Sequence, residues 1–243
     1  DSRNKLWIGT IEGGLTVLDP ETDRLQNFKH EPGNPTSLSS NTVSSICEDE
    51  FGNIWVGTGH FAWPYGRGLN KLDPNTGRFL HYRHDPDDPS SISSDNISSL
   101  LIDRDGVFWI GTVDNHLNAI PLAELLSNRK PRFTHYSNFS RRCINSIDED
   151  RLGNIWISLF GRAVYKYNRL QNPFIWYRHI RGNSNSLSSN GVGMVQVDKS
   201  GNVWFGGRGG VLDCYDPKTG QFTHYSYNPD NPSGLNSDIV TSI

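Results

Sequence analysis

A ten-residue segment bounded by two glycines concentrates side chains that could contact a ligand. It spans residues 59–68 and contains His60, Phe61, Trp63, Tyr65 and Arg67. Aromatic rings pack against the apolar C–H faces of sugars, and a guanidinium donates hydrogen bonds to hydroxyl or carboxylate groups. This combination predicts contact with a saccharide, above all an anionic one. Two alternatives remain open, because the same rings could cover apolar surface of their own domain or dock a second domain.

The elements that position this segment belong to a repeat marked by tryptophan. The repeated residues are Trp7, Trp55, Trp109, Trp156 and Trp204, which are 48, 54, 47 and 48 positions apart. A period of this length is typical of solenoids and propellers. Turn residues recur about every ten positions, a spacing that favours short strands over a helical repeat.

Each repeat is predicted to contain four strands. The tryptophan lies on the second strand, expected at 6–10, 54–58, 108–112, 155–159 and 203–207. An apolar inner strand precedes it, and the fourth strand alternates aromatic and polar residues, as at 79–84. Four antiparallel strands per repeat form one blade of a β-propeller. We therefore predict an all-β fold, a single five-bladed propeller domain over residues 1–243, with one short helix at 121–126.

The last predicted strand, at residues 239–243, is an inner strand that no tryptophan strand follows. It could pair with the N-terminal tryptophan strand and close a ring of five blades, which would remove the open sheet edges. The alternative is an open part of a seven-bladed propeller, whose ends would expose unpaired edges.

Composition argues against several classes of partner. The formal net charge is −3, and the lysines and arginines form no basic stripe of the kind that binds nucleic acid. No run of 18 apolar residues predicts a membrane span, and residues 1–20 lack the pattern of a signal peptide. Direct contact with nucleic acid or a membrane is not expected. The cysteines, Cys47, Cys143 and Cys214, lack metal-ligand spacing and are expected to be buried.

The inner strands offer little for catalysis. A glycosidase would need a pair of carboxylates facing the channel, about 5 to 10 Å apart. The acids near the inner strands are Glu48, Asp103, Asp148 and Asp198, all expected in the outgoing turns and therefore structural. Residues 103–106 resemble the start of a calcium loop, but the later ligands are missing. We predict no catalytic residue, metal or cofactor.

Strand parity places the connectors between blades on the same face as the turns between second and third strands. The connectors, such as 31–40 and 85–94, are nearly identical, which indicates a structural role for their Ser, Asn and Asp side chains. His81, His135 and His224 occupy matching fourth-strand positions and are expected to pack or face solvent. The second-to-third turns vary more. The predicted ligand site comprises His60, Phe61, Trp63, Tyr65, Arg67, Arg162 and Arg208.

The best-formed repeat resembles a known family. Residues 37–46, 52–58, 68–74 and 79–82 together look like one complete two-component regulator propeller repeat. The resemblance covers nearly the whole chain, and it is weakest at 137–143 and at Ser158, which replaces a glycine of the repeat.

The resemblance implies a function and a location. Such repeats occur in the periplasmic sensor region of Bacteroidetes hybrid two-component systems, which detect glycan fragments and switch on polysaccharide-utilisation genes. This chain would then be a non-catalytic part of a membrane-anchored histidine kinase, on the periplasmic side of the inner membrane. Its partners would be an oligosaccharide and either another propeller domain or a second protomer. The alternatives are a five-bladed carbohydrate-active enzyme and a structural protein-interaction scaffold.

Overall fold

The computed structural model describes residues 1–60, 62–114, 116–127, 129–136, 143–160, 163–168, 174–207, 211–231, 235, 237, 239 and 240. These residues form five antiparallel sheets, four with four strands and the first with three. Contacts divide the chain into two units, Asp1–Cys143 and Ile144–Ile243.

The first unit contains three sheets and the helix. The first sheet consists of β1 (Leu6–Thr10), β2 (Gly14–Asp19) and β3 (Arg24–Phe28). The second consists of β4 (Val43–Glu48), β5 (Ile54–His60), β6 (Trp63–Asp73) and β7 (Arg78–Tyr82). The third consists of β8 (Ile97–Ile102), β9 (Val107–Thr112), β10 (Leu117–Pro121) and β11 (Thr134–Tyr136), with α1 (Leu122–Leu125) after β10. The predicted short helix is confirmed.

The second unit contains the two remaining sheets. One consists of β12 (Ile144–Glu149), β13 (Ile155–Leu159), β14 (Ala163–Tyr167) and β15 (Phe174–Tyr177). The other consists of β16 (Val192–Val197), β17 (Val203–Gly207), β18 (Val211–Asp216) and β19 (Gln221–Ser226). In every sheet the strands pair in sequence order. The predicted series of five propeller blades, each with its tryptophan on the expected strand, is confirmed.

The hydrophobic core lies between successive sheets of a unit. Leu15 of the first sheet shares a buried cluster with Ile54 and Leu72 of the second. Trp55 and Leu69 of the second sheet pack with Phe108 and other residues of the third. In the second unit, Trp156 packs with residues of the following sheet, among them Val203, Phe205 and Tyr215. No helix of the described residues is long and apolar enough to cross a membrane.

One aspartate per repeat holds the turn that leads into the tryptophan strand. Asp1, Asp49, Asp103, Asp150 and Asp198 each accept a hydrogen bond from the indole Nε1 six residues later. Asp49 shows the full pattern, because its Oδ1 also accepts from the backbone N–H groups of Phe51 and Asn53, at 3.0 and 2.9 Å. We call this arrangement the Asp–Trp clasp. It explains why the acidic turn and the tryptophan recur together.

The clasp corrects part of the sequence prediction. Asp103 and Asp198 are structural and lie in the turns, as expected. Glu48 and Asp148 were also expected in the turns but lie on β4 and β12, and the equivalent turn position belongs to Asp49 and Asp150. Glu48 instead accepts hydrogen bonds from the backbone N–H and hydroxyl of Ser2, both at 2.6 Å. Asp148 accepts from the backbone N–H of Val197 at 2.8 Å, and burial raises the pKa of its carboxyl.

The structure also tests the prediction for the cysteines. The cysteines are free but only half-buried, so the expected full burial is wrong. Burial still raises the pKa of the Cys143 thiol to about 11, which disfavours the reactive thiolate.

Residues 241–243 of the predicted closing strand lie outside the described residues. Closure of a five-bladed ring therefore stays a prediction, as does the open seven-bladed alternative.

Candidate functional site

Two histidines hold each of three connectors between blades, and one of these connectors borders the candidate site. In connector 31–40, His30 Nδ1 bonds the carbonyl of Leu38 at 2.9 Å, and His81 Nε2 bonds the carbonyl of Ser37 at 2.8 Å. His84 and His135 hold connector 85–94 in the same way, and His179 and His224 hold connector 180–189. The connectors thus have the structural role that their repetition predicted. The matching histidines were expected to pack or face solvent, and the structure shows that they bind the connectors.

A buried polar side chain adds a second attachment for each of these connectors. Asn70 is fully buried, and its Oδ1 accepts the backbone N–H of Ser39 at 2.9 Å. Asn118 accepts from Ser93 at the same distance. In the fifth repeat an aspartate, Asp213, takes this place and accepts the backbone N–H of Ser188 at 2.9 Å.

The aspartate makes the fifth repeat sensitive to pH. Burial lowers the pKa of His224, but hydrogen bonds to Asp213 at 2.6 Å and to the Ser184 carbonyl at 2.7 Å outweigh it, so the net shift is upward. A raised folded-state pKa stabilises the fold fully below the unfolded value of about 6.5, and this stability is lost as pH rises through the folded value.

We therefore expect His224→Gln to lose stability relative to the wild type mainly at low pH. Chemical denaturation of both proteins at several pH values measures the difference. A gap that widens as pH rises would contradict the assignment. His81→Gln is the matched control, because burial lowers the pKa of His81 and its partner is a backbone carbonyl.

Residues 59, 60 and 62–68 extend the blade and do not form the expected loop. Strand β5 continues to His60 and β6 begins at Trp63, with His60 paired to Trp63 and an irregularity in the pairing between Thr58 and His60. The signal for this hairpin was present, because large side chains occupy alternate positions at 61, 63, 65 and 67. Alternation of this kind is typical of a strand.

The hairpin packs closely against the connector of the third sheet. His60 N–H donates to Asn96 Oδ1 at 2.9 Å, and Asn96 Nδ2 donates to the His60 carbonyl at 3.3 Å. A Cβ atom on Gly66 would lie 2.3 Å from the Asp95 carbonyl oxygen, so only glycine allows this approach. The hairpin is therefore anchored on one side by backbone contacts.

A polar pocket of about 310 Å³ lies where the hairpin, a connector and a turn of the first sheet meet. The hairpin contributes Tyr65, which is 43% exposed, and Arg67. The turn after β1 contributes Glu12, and the connector contributes His30 and residues 39–42. The turn and the connector thus share one face, as strand parity predicted. The volume of the pocket is in the range of small-ligand sites.

The chemistry of this pocket suits a polar ligand. Arg67 Nη1 donates to the carbonyl of Gly66 at 3.1 Å, and a guanidinium has five N–H donors, so others can serve a ligand. Ser40 and Asn41 add a hydroxyl and an amide to the lining. Among the described lining residues Glu12 is the one carboxyl group, whereas glycoside hydrolysis commonly uses two. The pocket is suited to binding hydroxyl and anionic groups.

The predicted site residues divide into three groups. Tyr65 and Arg67 line the pocket together. His60 lies at the end of β5, and the backbone of Trp63 begins β6, but the Trp63 side chain lies outside the described structure. Phe61, Arg162 and Arg208 lie outside the described residues. Sequence reasoning missed Glu12, which lies on a turn that strand parity assigned to this face, and His30, which immediately precedes connector 31–40.

Comparison with known families decides the kind of repeat. The family profile described as two component regulator propeller matches residues 37–60 and 91–114. Each matched segment runs from a connector through the inner strand and the tryptophan strand. These two segments carry two-component regulator propeller repeats. The first match ends at His60, inside the hairpin that carries Tyr65 and Arg67.

Solved structures share the fold of these regulator repeats. The extracellular domain of a putative hybrid two component system from B. thetaiotaomicron is 21% identical, with a TM-score of 0.78 over 99% of this chain and 29% of its own. That of a second such system from the same organism is 20% identical, with a TM-score of 0.67 over 97% and 35%. PorZ, a surface component of the type-IX secretion system of Porphyromonas gingivalis, is 15% identical, with a TM-score of 0.68 over 98% and 34%.

These similarities establish the propeller fold. The chain spans about a third or less of the length of these matched structures. No curated protein matches the sequence.

Proposed function

We propose that this chain is a non-catalytic sensor propeller of a hybrid two-component histidine kinase. The observation that carries the proposal is the match to two component regulator propeller repeats at residues 37–60 and 91–114. The fold shared with extracellular domains of two hybrid two component systems supports it. The same similarity supports a place on the periplasmic side of the inner membrane, as part of a membrane-anchored parent protein.

We further propose that the sensed ligand is a carbohydrate fragment and that it binds the pocket of Tyr65 and Arg67. The tyrosine ring is exposed enough to pack against a sugar, and the guanidinium can bind hydroxyl or acidic groups. In the parent protein such binding would control polysaccharide-utilisation genes.

The position of the pocket offers a mechanism. Glu12 belongs to the first sheet and Arg67 to the second, so one ligand can contact both blades. A ligand that binds one arrangement of these blades more tightly shifts the population toward it. Another propeller domain or a second protomer packed on the chain would sense that shift.

Arg67→Gln is expected to weaken binding of an acidic oligosaccharide about 10- to 100-fold, because it removes charge-assisted hydrogen bonds. Calorimetric titration with acidic and neutral oligosaccharides measures the effect. Tyr65→Ala and Trp63→Ala test the aromatic contribution and should leave the fold intact. Arg78→Gln is the matched control, because Arg78 is exposed at the start of β7 and does not line this pocket.

The same experiment separates the alternative functions. Formation of shortened saccharide products would replace the sensor with a carbohydrate-active enzyme. Absence of binding to every saccharide, together with dimerisation in light scattering, would favour a structural scaffold. Equal affinity of wild type and Arg67→Gln would remove the pocket from the proposal.

A further inference from the structure

A second cavity is lined mainly by residues of the first sheet and the segment before it. We call it the Trp7 cleft. Its volume is about 370 Å³, and its apolar wall consists of Trp7, Val17, Leu25, Phe28 and Pro74. The Trp7 and Phe28 rings are nearly parallel, with an interplanar angle of 21° and centroids 6.2 Å apart. A wall of this kind accommodates the flat face of a ring.

Trp7 is less covered than the tryptophans of the second and fourth sheets. Trp55 and Trp156 are fully buried, and phenylalanines of the following sheet pack on them, Phe108 at 5.1 Å and Phe205 at 5.8 Å between ring centroids. Each of these phenylalanines is adjacent in sequence to the tryptophan of its own sheet. The corresponding neighbours of Trp55 are Ile54 and Val56, which are smaller. Trp7 is only half-buried and borders the cleft.

The charged groups around the cleft differ in the hydrogen bonds and ion pairs that they form. Asp19 pairs with Lys5, and Asp1 accepts hydrogen bonds from the Trp7 indole and from backbone N–H groups. Arg3 donates to the carbonyl of Gly52 at 2.8 Å. Arg24 is exposed, and within the described part of the chain no hydrogen bond or ion pair holds its guanidinium. The cleft therefore combines an aromatic wall with a cation that has no acidic partner among these residues.

We propose that the Trp7 cleft binds a ring-shaped ligand that carries a carboxylate. The ring packs against Trp7 and Phe28, and the carboxylate pairs with Arg24 in a charge-assisted hydrogen bond. Uronic acids and aromatic acids share this chemistry. The cleft shares no lining residue with the pocket of Tyr65 and Arg67, so the proposal does not rest on carbohydrate binding at that pocket.

The test follows the Trp7 indole N–H resonance in ¹H–¹⁵N spectra, assigned with Trp7→Phe. Glucuronate and phenylacetate are the two carboxylate probes, and glucose and benzyl alcohol are their neutral controls. We expect one carboxylate probe to shift the Trp7 resonance while its neutral control does not, and the identity of that probe distinguishes the two sources. Arg24→Gln should raise the Kd of that probe about tenfold or more.

Three controls make the outcome decisive. Val17→Phe should fill the cleft and abolish the shift, because Val17 lines it. Arg67→Gln and Arg78→Gln should leave the titration unchanged, which separates this site from the pocket of the proposed sensor function. The proposal is overturned if neither carboxylate shifts Trp7 up to about 10 mM, if neutral probes bind equally, or if Arg24→Gln binds like the wild type.

Discussion

Replacing Trp156 with alanine is expected to lower the free energy of unfolding by about 3 to 5 kcal/mol. The side chain is fully buried, and its ring contacts Tyr177, Phe205 and Tyr215 at centroid distances of 5.2, 5.8 and 5.6 Å. Its removal also leaves the buried carboxylate of Asp150 without the indole donor. Urea denaturation followed by circular dichroism measures the loss.

Trp176→Ala is the matched control, because it deletes the same side chain in the same sheet. Trp176 lies on β15 and is 53% exposed, so the expected loss is below about 1 kcal/mol. Comparable losses at the two positions would contradict the distinction between blade-forming tryptophans and surface tryptophans.

The strand pattern could be predicted because the repeats place their tryptophans at the same strand position. Trp55, Trp109 and Trp156 are all buried at the same strand position, so the period in the sequence reports the period in the fold. The prediction for the acids was less accurate. Proximity to the inner strand suggested Glu48 and Asp148, whereas the hydrogen bond to the indole requires the acid six residues before the tryptophan.

The candidate pocket was only partly predictable. Tyr65 and Arg67 were found because they interrupt the repeat, and an interruption is visible in one sequence. Glu12 and His30 became site residues only through the packing of the first sheet and its connector beside the hairpin. The pocket brings together positions more than 50 residues apart, such as Glu12 and Tyr65. No local pattern reports such a contact.

The pocket of Tyr65 and Arg67 occurs where one repeat departs from the others. The hairpin replaces a tight turn there. Regular repeats bury their surfaces against each other, so binding sites are expected at the exceptions. This links ligand specificity to a few residues that the blade itself does not require.

Asp49→Ala is expected to destabilise the fold by about 3 to 4 kcal/mol. Asp49 is 5% exposed and accepts hydrogen bonds from Phe51, Asn53 and Trp55. Alanine removes every acceptor of the clasp, and each buried donor left without a partner costs about 1 to 3 kcal/mol. Asp49→Asn keeps one side-chain oxygen as an acceptor and should lose about half as much. Chemical denaturation of the three proteins measures the order.

Asp198→Ala tests whether the clasp stabilises the blade by shaping the turn alone or also by satisfying a buried indole donor. Asp198 accepts the same set of hydrogen bonds from Ser200, Asn202 and Trp204, but Asp198 and Trp204 are both only half-buried. Water can replace the lost acceptor there, so the expected loss is smaller than at Asp49. Equal losses at the two positions would mean that the clasp stabilises the blade by shaping the turn, and that burial of the indole donor adds nothing.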